Sequence, residues 1–458
     1  MNLKKIVAAG IAAVCAVSMA ACGGSNGSSG QTDMTYDKIE LGKTGKDIKA
    51  SIKFYNGRTD MGLDSYPGKN WKSYIADFNK LYPDIKVDVQ TDTNYADNAL
   101  TRLQGGDWGD IMMIPSVDKS EMSNYFISYG SLDTMKKQVK LASEKAYDGK
   151  CYGVATDGQT SGVVYNKAVF KKAGITDLPK TPSEFIKDLK LIKEKTDAIP
   201  LYTNYAAGFT MGAWDAYIGT TATGDDTYMN QKLVHTKAPF KDPGDGTHAY
   251  NVYKILYDAV ADGLTEDDYS TTDWESSKGM INSGKIGTMV LGAWAVTQMQ
   301  QAGDHPDDIG YMPFPISVKG KQYASMGGNY SMGINKKSSK DNQEAAMIFV
   351  KWLTEKSGYA MNEGGIPIKY GESDLPSIYA DFKDVDMEPD ADSLKGEEDL
   401  FTEVNSDSEL GINSNGNKRV QAIVEHAANK DKSYDDIMKD WNNAWYKAMQ
   451  DDDAEAKY

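Results

Sequence analysis

The chain has 458 residues, 40% hydrophobic and 25% charged, with 43 Gly and 14 Pro, which excludes a disordered or low-complexity chain and allows several compact units. Its formal net charge of −16 argues against nucleic acid as a partner, because such binding neutralises phosphates with Lys and Arg. Three cysteines, and four histidines (His235, His248, His305, His426) set far apart, exclude a disulfide-stapled scaffold and show no metal-ligand spacing.

Residues 1–21 read as an export signal: Lys4 and Lys5 precede the apolar run Ile6 to Ala21, which is too short and too lightly flanked for a membrane span. Ser18-Met19-Ala20-Ala21 before Cys22 resembles a bacterial lipobox, with Met19 where Leu is usual. It predicts lipidation of Cys22, and attachment to the outer face of the cytoplasmic membrane through that lipid. The plain alternative is ordinary secretory cleavage with Cys22 incidental. Gly23 to Gly30 is a Gly/Ser tether opening a linker over 22–48. Cys151 is expected to be a small packed residue. No later run approaches the ~18 apolar residues of a membrane span.

In the body, Ser51 to Tyr55 alternates as a strand, and Trp71, Tyr74, Ile75, Phe78, Leu81 and Tyr82 share one helical face. Ile85, Val87 and Val89 alternate again, a shorter helix covers Asn98 to Gln104, and Asp110 to Pro115 is a buried strand. This β-α-β-α-β order predicts parallel strands with right-handed crossovers, and ligand loops at the carboxyl ends after Tyr55 and Ile114. Tyr152 to Lys167 is strand-rich with a glycine pause. Helices are predicted over Val169–Ala173, Thr181–Lys195, Ala249–Ala261, Ser276–Asn282, Ala293–Gln301, Asn342–Thr354 and Tyr434–Met449. Strands are predicted at Ile199–Tyr202, Ile286–Leu291 and Ser331–Ile334. Between Gly358 and Gly411 the chain reads as irregular and acidic, with fourteen Asp or Glu from Glu372 to Glu409 against Lys383 and Lys395.

Several of these blocks, taken in order, resemble a known family. They include Phe78-Asn79-Lys80-Leu81-Tyr82-Pro83, Gly106-Asp107-Trp108-Gly109-Asp110-Ile111, Asp148-Gly149-Lys150-Cys151-Tyr152-Gly153-Val154 and Val164-Tyr165-Asn166-Lys167. Later come Lys180-Thr181-Pro182-Ser183-Glu184-Phe185, Gly284-Lys285-Ile286-Gly287-Thr288-Met289, Gly292-Ala293-Trp294 and Phe349-Val350-Lys351-Trp352-Leu353. The set covers Ser51 to about Pro367 and resembles the extracellular solute-binding lipoproteins of bacterial ABC importers, in the carbohydrate-binding, maltose-binding-protein-like (family 1) branch. The resemblance implies an α/β, two-lobed periplasmic-binding-protein-like (type II) fold with discontinuous lobes and a hinge. One lobe is expected from 49–155 plus 325–358, the other from 156–324 plus 359–458. The chain then crosses near Val154–Asp157, near Ser325–Asn329 and again after the Trp352 helix. It also implies a carbohydrate ligand, an ABC permease that reads the closed form, a monomer, no cofactor and no enzymatic activity. The acidic segment 372–409 matches nothing in this pattern.

Sugar binding needs flat aromatic faces for pyranose C–H groups, and carboxylates and amides for hydroxyls. Trp294 follows a strand and Gly292, in the block that supplies a stacking Trp by resemblance, and is the leading candidate. Trp214 and Trp274, in loops or helix starts, come next, whereas Trp71, Trp352, Trp441 and Trp445 lie on amphipathic faces and are expected in the core. Asp157 stands at the expected crossover, where its plain alternative is a strand-end turn residue. Asn56, Arg58 and Asp60 follow the first strand, Asp118 the third, Asn204 and Tyr205 the Ile199–Tyr202 strand, and Asn329 follows Gly327-Gly328.

Other constellations fail. Gly42-Lys43-Thr44 lacks the first P-loop glycine, because position 37 is Asp. The Asp384–Asp392 run has Pro389 and Lys395 where a calcium loop needs Gly and Glu. No Gly-x-Ser-x-Gly elbow occurs. A secreted glycan hydrolase and an adhesion protein therefore rank below the receptor reading, within which a cationic or peptide solute is the competitor to a sugar.

Overall fold

Two sheets organise the computed structural model, which describes residues 31–458 apart from 67, 116 and 414–417 and the side chains of 96 and 97. The expected export signal, Cys22 and the Gly/Ser tether lie outside the described residues. The first sheet runs in the order Ile85–Thr91, Ala50–Asn56, Ile111–Met113, Ser331–Ile334, Val154–Ala155. Its first three strands are parallel, Ala50 pairing with Ile85 and Phe54 with Ile111. The helix Trp71–Leu81 makes the first crossover. Asn70 caps it by accepting from Ser73 N, and Trp71, Tyr74 and Phe78 bury its inner face. Ser331–Ile334 returns from the other lobe and runs antiparallel to Ile111–Met113 on one side and to Val154–Ala155, which leads out to that lobe, on the other.

The second sheet is built on Gly158–Asn166, one nine-residue strand with no pause at its glycines. Ile286–Gly292 flanks one edge, and Tyr323–Gly328 and Ile309–Met312 share the other in tandem. Every residue of Ile286–Gly292 is buried, because helices cover both faces of this sheet. Pro182–Lys195 starts with a capping box between Thr181 and Glu184. Tyr434–Asp451 buries Ile437, Trp441 and Trp445.

The chain passes between the two lobes at one seam. Thr156 N donates to Tyr330 O at 2.8 Å and Asn329 N to Asp157 O at 3.0 Å, while Gly158 and Ile366 exchange backbone bonds of 2.7 and 2.6 Å. Segments 155–158, 328–331 and 365–366 thus lie side by side between the sheets.

Four stretches differ from expectation. The linker expected to reach 48 is docked from residue 32 on: Thr32 N donates to Gln343 Oε1 at 2.9 Å, and Tyr36 is fully buried with its hydroxyl 2.9 Å from Thr354 Oγ1. Residues 359–369, expected with the second lobe, pack on the first. Tyr359 stacks on Trp71 with centroids 5.8 Å apart, and Lys369 bridges Val139. The acidic stretch is not irregular throughout. It contains the 3-10 turns Ser377–Phe382, the strand Asp386–Glu388 paired with Tyr323–Ser325, and the helix Leu400–Asp407. Burial of Tyr379 and Phe382, the latter stacked on Tyr311 at 5.2 Å, offsets the repulsion of its carboxylates. Finally, Lys418–Asn429 forms a helix for which no element is predicted, with Val420, Ile423, Val424 and Ala427 inward.

Among the described residues no group of three or more His, Cys, Asp or Glu could hold a metal ion, and no helix is long and apolar enough to cross a membrane. Cys151 is buried, donates to Gly153 O at 3.2 Å, and has its thiol pushed up to about 12 by burial. A chain starting at residue 31 contains this cysteine alone. It is expected to ignore a thiol reagent at neutral pH when native and to titrate one thiol when unfolded. Rapid labelling of the native protein would contradict that burial.

Candidate functional site

Two adjoining cavities open beside the seam. The smaller, about 360 Å³, is bordered by Gln159, Ser161, Asp215, Trp294, Ser325, Asn329, Asp390 and Asn413, among others. The larger, about 750 Å³, is bordered by Arg58, Asp60, Leu63, Tyr66, Gln298, Tyr330 and Glu363 and again by Gln159, Trp294 and Asn329. These three shared residues make the cavities one cleft between the lobes, of a size usual for small-molecule sites.

Trp294 opens the helix Trp294–Gln301 directly after the buried strand Ile286–Gly292. Gly292 is required there, since a Cβ would stand 2.6 Å from the indole Nε1. The indole is half-buried and part of an aromatic group with Trp274 at 5.6 Å and Phe209 at 6.2 Å. Phe209 is 50% exposed.

Asp157 is fully buried within the seam. Its Oδ1 accepts from Thr156 Oγ1 at 2.6 Å and from Asn329 Nδ2 at 3.5 Å, and its Oδ2 from Gln159 Nε2 at 3.4 Å. Burial pushes its carboxyl up to about 6, against the opposing pull of these bonds and the Arg58 charge. Asp157 does not border either cavity; it orients Gln159 and Asn329, which border both. Gly365 makes room for it, because a Cβ there would overlap the carboxylate.

At the other end, buried Asn56 accepts from Arg58 N at 2.9 Å through Oδ1. The Arg58 guanidinium donates to Asp60 at 2.9 Å, Glu363 at 2.9 Å, Tyr66 Oη at 3.1 Å and Tyr359 Oη at 3.2 Å. Tyr66 donates to the same Glu363 Oε2 at 2.6 Å, whereas Glu363 Oε1 is buried with no partner.

The model of the bacterial extracellular solute-binding proteins matches residues 53–360. The chain belongs to this family. It is a family of binding proteins, not of enzymes. A diacetylchitobiose-binding protein of Streptomyces coelicolor is 27% identical over 387 residues, 81% of this chain and 83% of that one. A multiple sugar-binding protein of Streptococcus mutans is 25% identical over 358 residues, 77% and 78% of the two chains. Among solved structures, a manno-oligosaccharide-specific solute-binding protein of Bifidobacterium animalis subsp. lactis, in complex with mannotriose, is 65% identical with a TM-score of 0.86, covering 92% of this chain and 99% of that one. A second ABC-transporter binding protein of that organism, in complex with mannobiose, is 64% identical with a TM-score of 0.87 at the same coverage.

Of the residues named from the sequence, Trp294, Arg58, Asp60 and Asn329 border the cleft of this solute-binding protein, with Asn56, Asp157 and Trp274 directly behind it. The others lie elsewhere. Trp214 is 2% exposed and set edge-on to Phe314 at 6.0 Å in the second lobe's core, although the following residues, Asp215 and Ala216, border the smaller cavity. Asp118 is exposed at the start of the turn Lys119–Glu121. Asn204 is buried with φ 55°, a conformation Asn tolerates, and donates to Met289 Sδ at 3.1 Å. Tyr205 donates to Glu425 and packs on Tyr269 at 4.6 Å. Gln159, Ser325, Tyr66, Glu363, Phe209 and Asp390 border or flank the cleft and were not named. Gln159 was legible, two positions past Asp157 on the same face of an extended chain.

The raised Asp157 carboxyl has a sign that can be tested. The folded chain holds this proton up to about pH 6, the unfolded chain only to about 3.9. Its contribution to stability therefore falls between about pH 4 and pH 6 and levels off above, by about 2–3 kcal/mol. Denaturant unfolding of unliganded wild type and Asp157→Asn at pH 4 and 7 should show the wild type losing that much relative to the variant. A difference that stays level across the range would contradict it.

Proposed function

We propose that the chain is a lipid-anchored receptor that captures a manno-oligosaccharide in the cleft between its lobes and delivers it to the permease of an ABC importer. The observation that carries this reading is identity of 64–65% across 92% of the chain to two proteins that hold mannobiose and mannotriose. The cleft supports it chemically. Trp294 offers a flat face to the C–H side of a pyranose, and Gln159, Asn329 and Ser325 offer amides and a hydroxyl to its hydroxyl groups. Two cavities sharing those residues suit a ligand of more than one ring.

In this reading the first lobe comprises 31–155 plus 330–370 and the second 156–329 plus 371–458. The amended boundaries follow the packing of Tyr36 and Tyr359. Closure around the sugar turns on the seam, and sugar binding shifts the population toward the closed form. Export and anchoring through Cys22 rest on the apolar run and the small residues before that cysteine. The receptor acts as a monomer on the outer face of the cytoplasmic membrane.

A thermal-shift panel on residues 31–458 tests the reading. Mannobiose or mannotriose at about 100 times its dissociation constant should stabilise the protein by about 2.7 kcal/mol. Silence across all saccharides, with a shift from a polyamine, amino acid or peptide, would overturn it. Trp294→Ala should weaken binding more than about tenfold, or ~1.4 kcal/mol, with the unliganded melting midpoint unchanged. Calorimetry on the folded variant giving wild-type affinity would remove Trp294 from the site.

A further inference from the structure

We infer that Asp390, carried by the acidic segment beyond the family match, is a ligand-binding residue that accepts a hydrogen bond from a saccharide hydroxyl in the smaller cavity. This rests on the oligosaccharide reading above, but concerns a segment that the family model, ending at 360, does not include.

Two carboxylates border the smaller cavity, Asp215 and Asp390. Asp215 is committed. Its Oδ1 accepts from Tyr253 Oη at 2.7 Å and from the Arg419 guanidinium, its Oδ2 accepts from Asn413 N at 2.9 Å, and it is 2% exposed. Asp390 differs in each respect. It is only part-buried, and each oxygen accepts one hydroxyl: Thr220 Oγ1 to Oδ1 at 2.6 Å and Ser325 Oγ to Oδ2 at 2.7 Å. A carboxylate has about four acceptor positions, so about half its capacity is left, and the residue borders the cavity. A sugar hydroxyl needs such an acceptor, and hydrogen bonds to a charged oxygen are the stronger kind.

The carboxylate is also held in position from both directions along the chain. Before it, Asp386–Glu388 is a strand of the second sheet, in register with Tyr323–Ser325. After it, Ala391 N donates to Asp226 O at 2.8 Å, Asn230 Nδ2 to Ala391 O at 2.8 Å and Gln231 Nε2 to Asp392 O at 2.6 Å. Little ordering remains to be done when a ligand arrives, which favours affinity and selectivity. The segment's acidity thus includes one carboxylate placed for recognition.

Calorimetry with mannobiose and mannotriose on wild type, Asp390→Asn and Asp386→Asn tests this. Asp386 is the control, since its carboxylate pairs with Lys321 of the same lobe, outside both cavities. Asp390→Asn, near-isosteric and with an unchanged unliganded melting midpoint, should bind at least about tenfold more weakly, and Asp386→Asn within about twofold of wild type. If Asp390→Asn does not fold, Asp390→Glu, which keeps the charge but moves it by one methylene, takes its place with the same expectation. Wild-type affinity in the Asp390 variant overturns the inference, as does an equal loss in both variants. If wild type ignores mannosides but binds another saccharide, the mannose reading fails alone and the same affinity ratio on that saccharide decides the role of Asp390. If wild type binds no saccharide, both fail.

Discussion

The cleft between the two lobes is hung from the hydrogen-bonded seam at Asp157. Two passages of chain between the sheets and a third segment at Ile366 are tied by backbone bonds of 2.6 to 3.0 Å, and one carboxylate is buried among them. Burying it is costly, and Thr156, Gln159 and Asn329 offset the cost by donating to it. In doing so they set two amide side chains at the boundary between the cavities. Short bonded passages of this kind can pivot with small backbone rotations but cannot slide, which suits a hinge. Gly365 completes the arrangement by presenting no side chain to the carboxylate.

Each lobe contributes a different chemistry around that seam. The second brings the aromatic group of Trp294, Trp274 and Phe209, fixed by a strand that ends in Gly292. The first brings the polar knot of Arg58, Asp60, Tyr66 and Glu363. An apolar wall facing a polar one is what a pyranose ring requires, since its faces carry C–H groups and its rim carries hydroxyls. The acidic segment adds a carboxylate, Asp390, to the border of the smaller cavity.

Regular elements were legible because one face of each is buried: the alternation of Ile85, Val87 and Val89 and the helical spacing of Trp71, Tyr74 and Phe78 give period and orientation together. Trp294 could be singled out because it follows a strand and Gly292 in the block that, by resemblance to the family, supplies a stacking Trp. Trp214 shows where the logic of periodicity fails. It sits in the 3-10 turns Gly212–Tyr217, which have no 3.6-residue stripe to mark Trp214 and Tyr217 as core. Asp118, Asn204 and Tyr205 met the rule that ligands gather at strand ends, but turn-forming and backbone demands select the same residue types. Glu363 and Asp390 were missed for a common reason. Their positions depend on long-range packing, of Tyr359 on Trp71 and of Phe382 on Tyr311, and isolated aromatics in an acidic or glycine-rich stretch carry no periodic signal.

The most direct test of the account is a crystal structure of residues 31–458 grown with mannotriose. The account predicts sugar density between the lobes, one ring stacked on Trp294, with Gln159 and Asn329 within hydrogen-bond distance of its hydroxyls. A saccharide bound away from the seam, or one in the cleft that leaves Trp294 untouched, would contradict it.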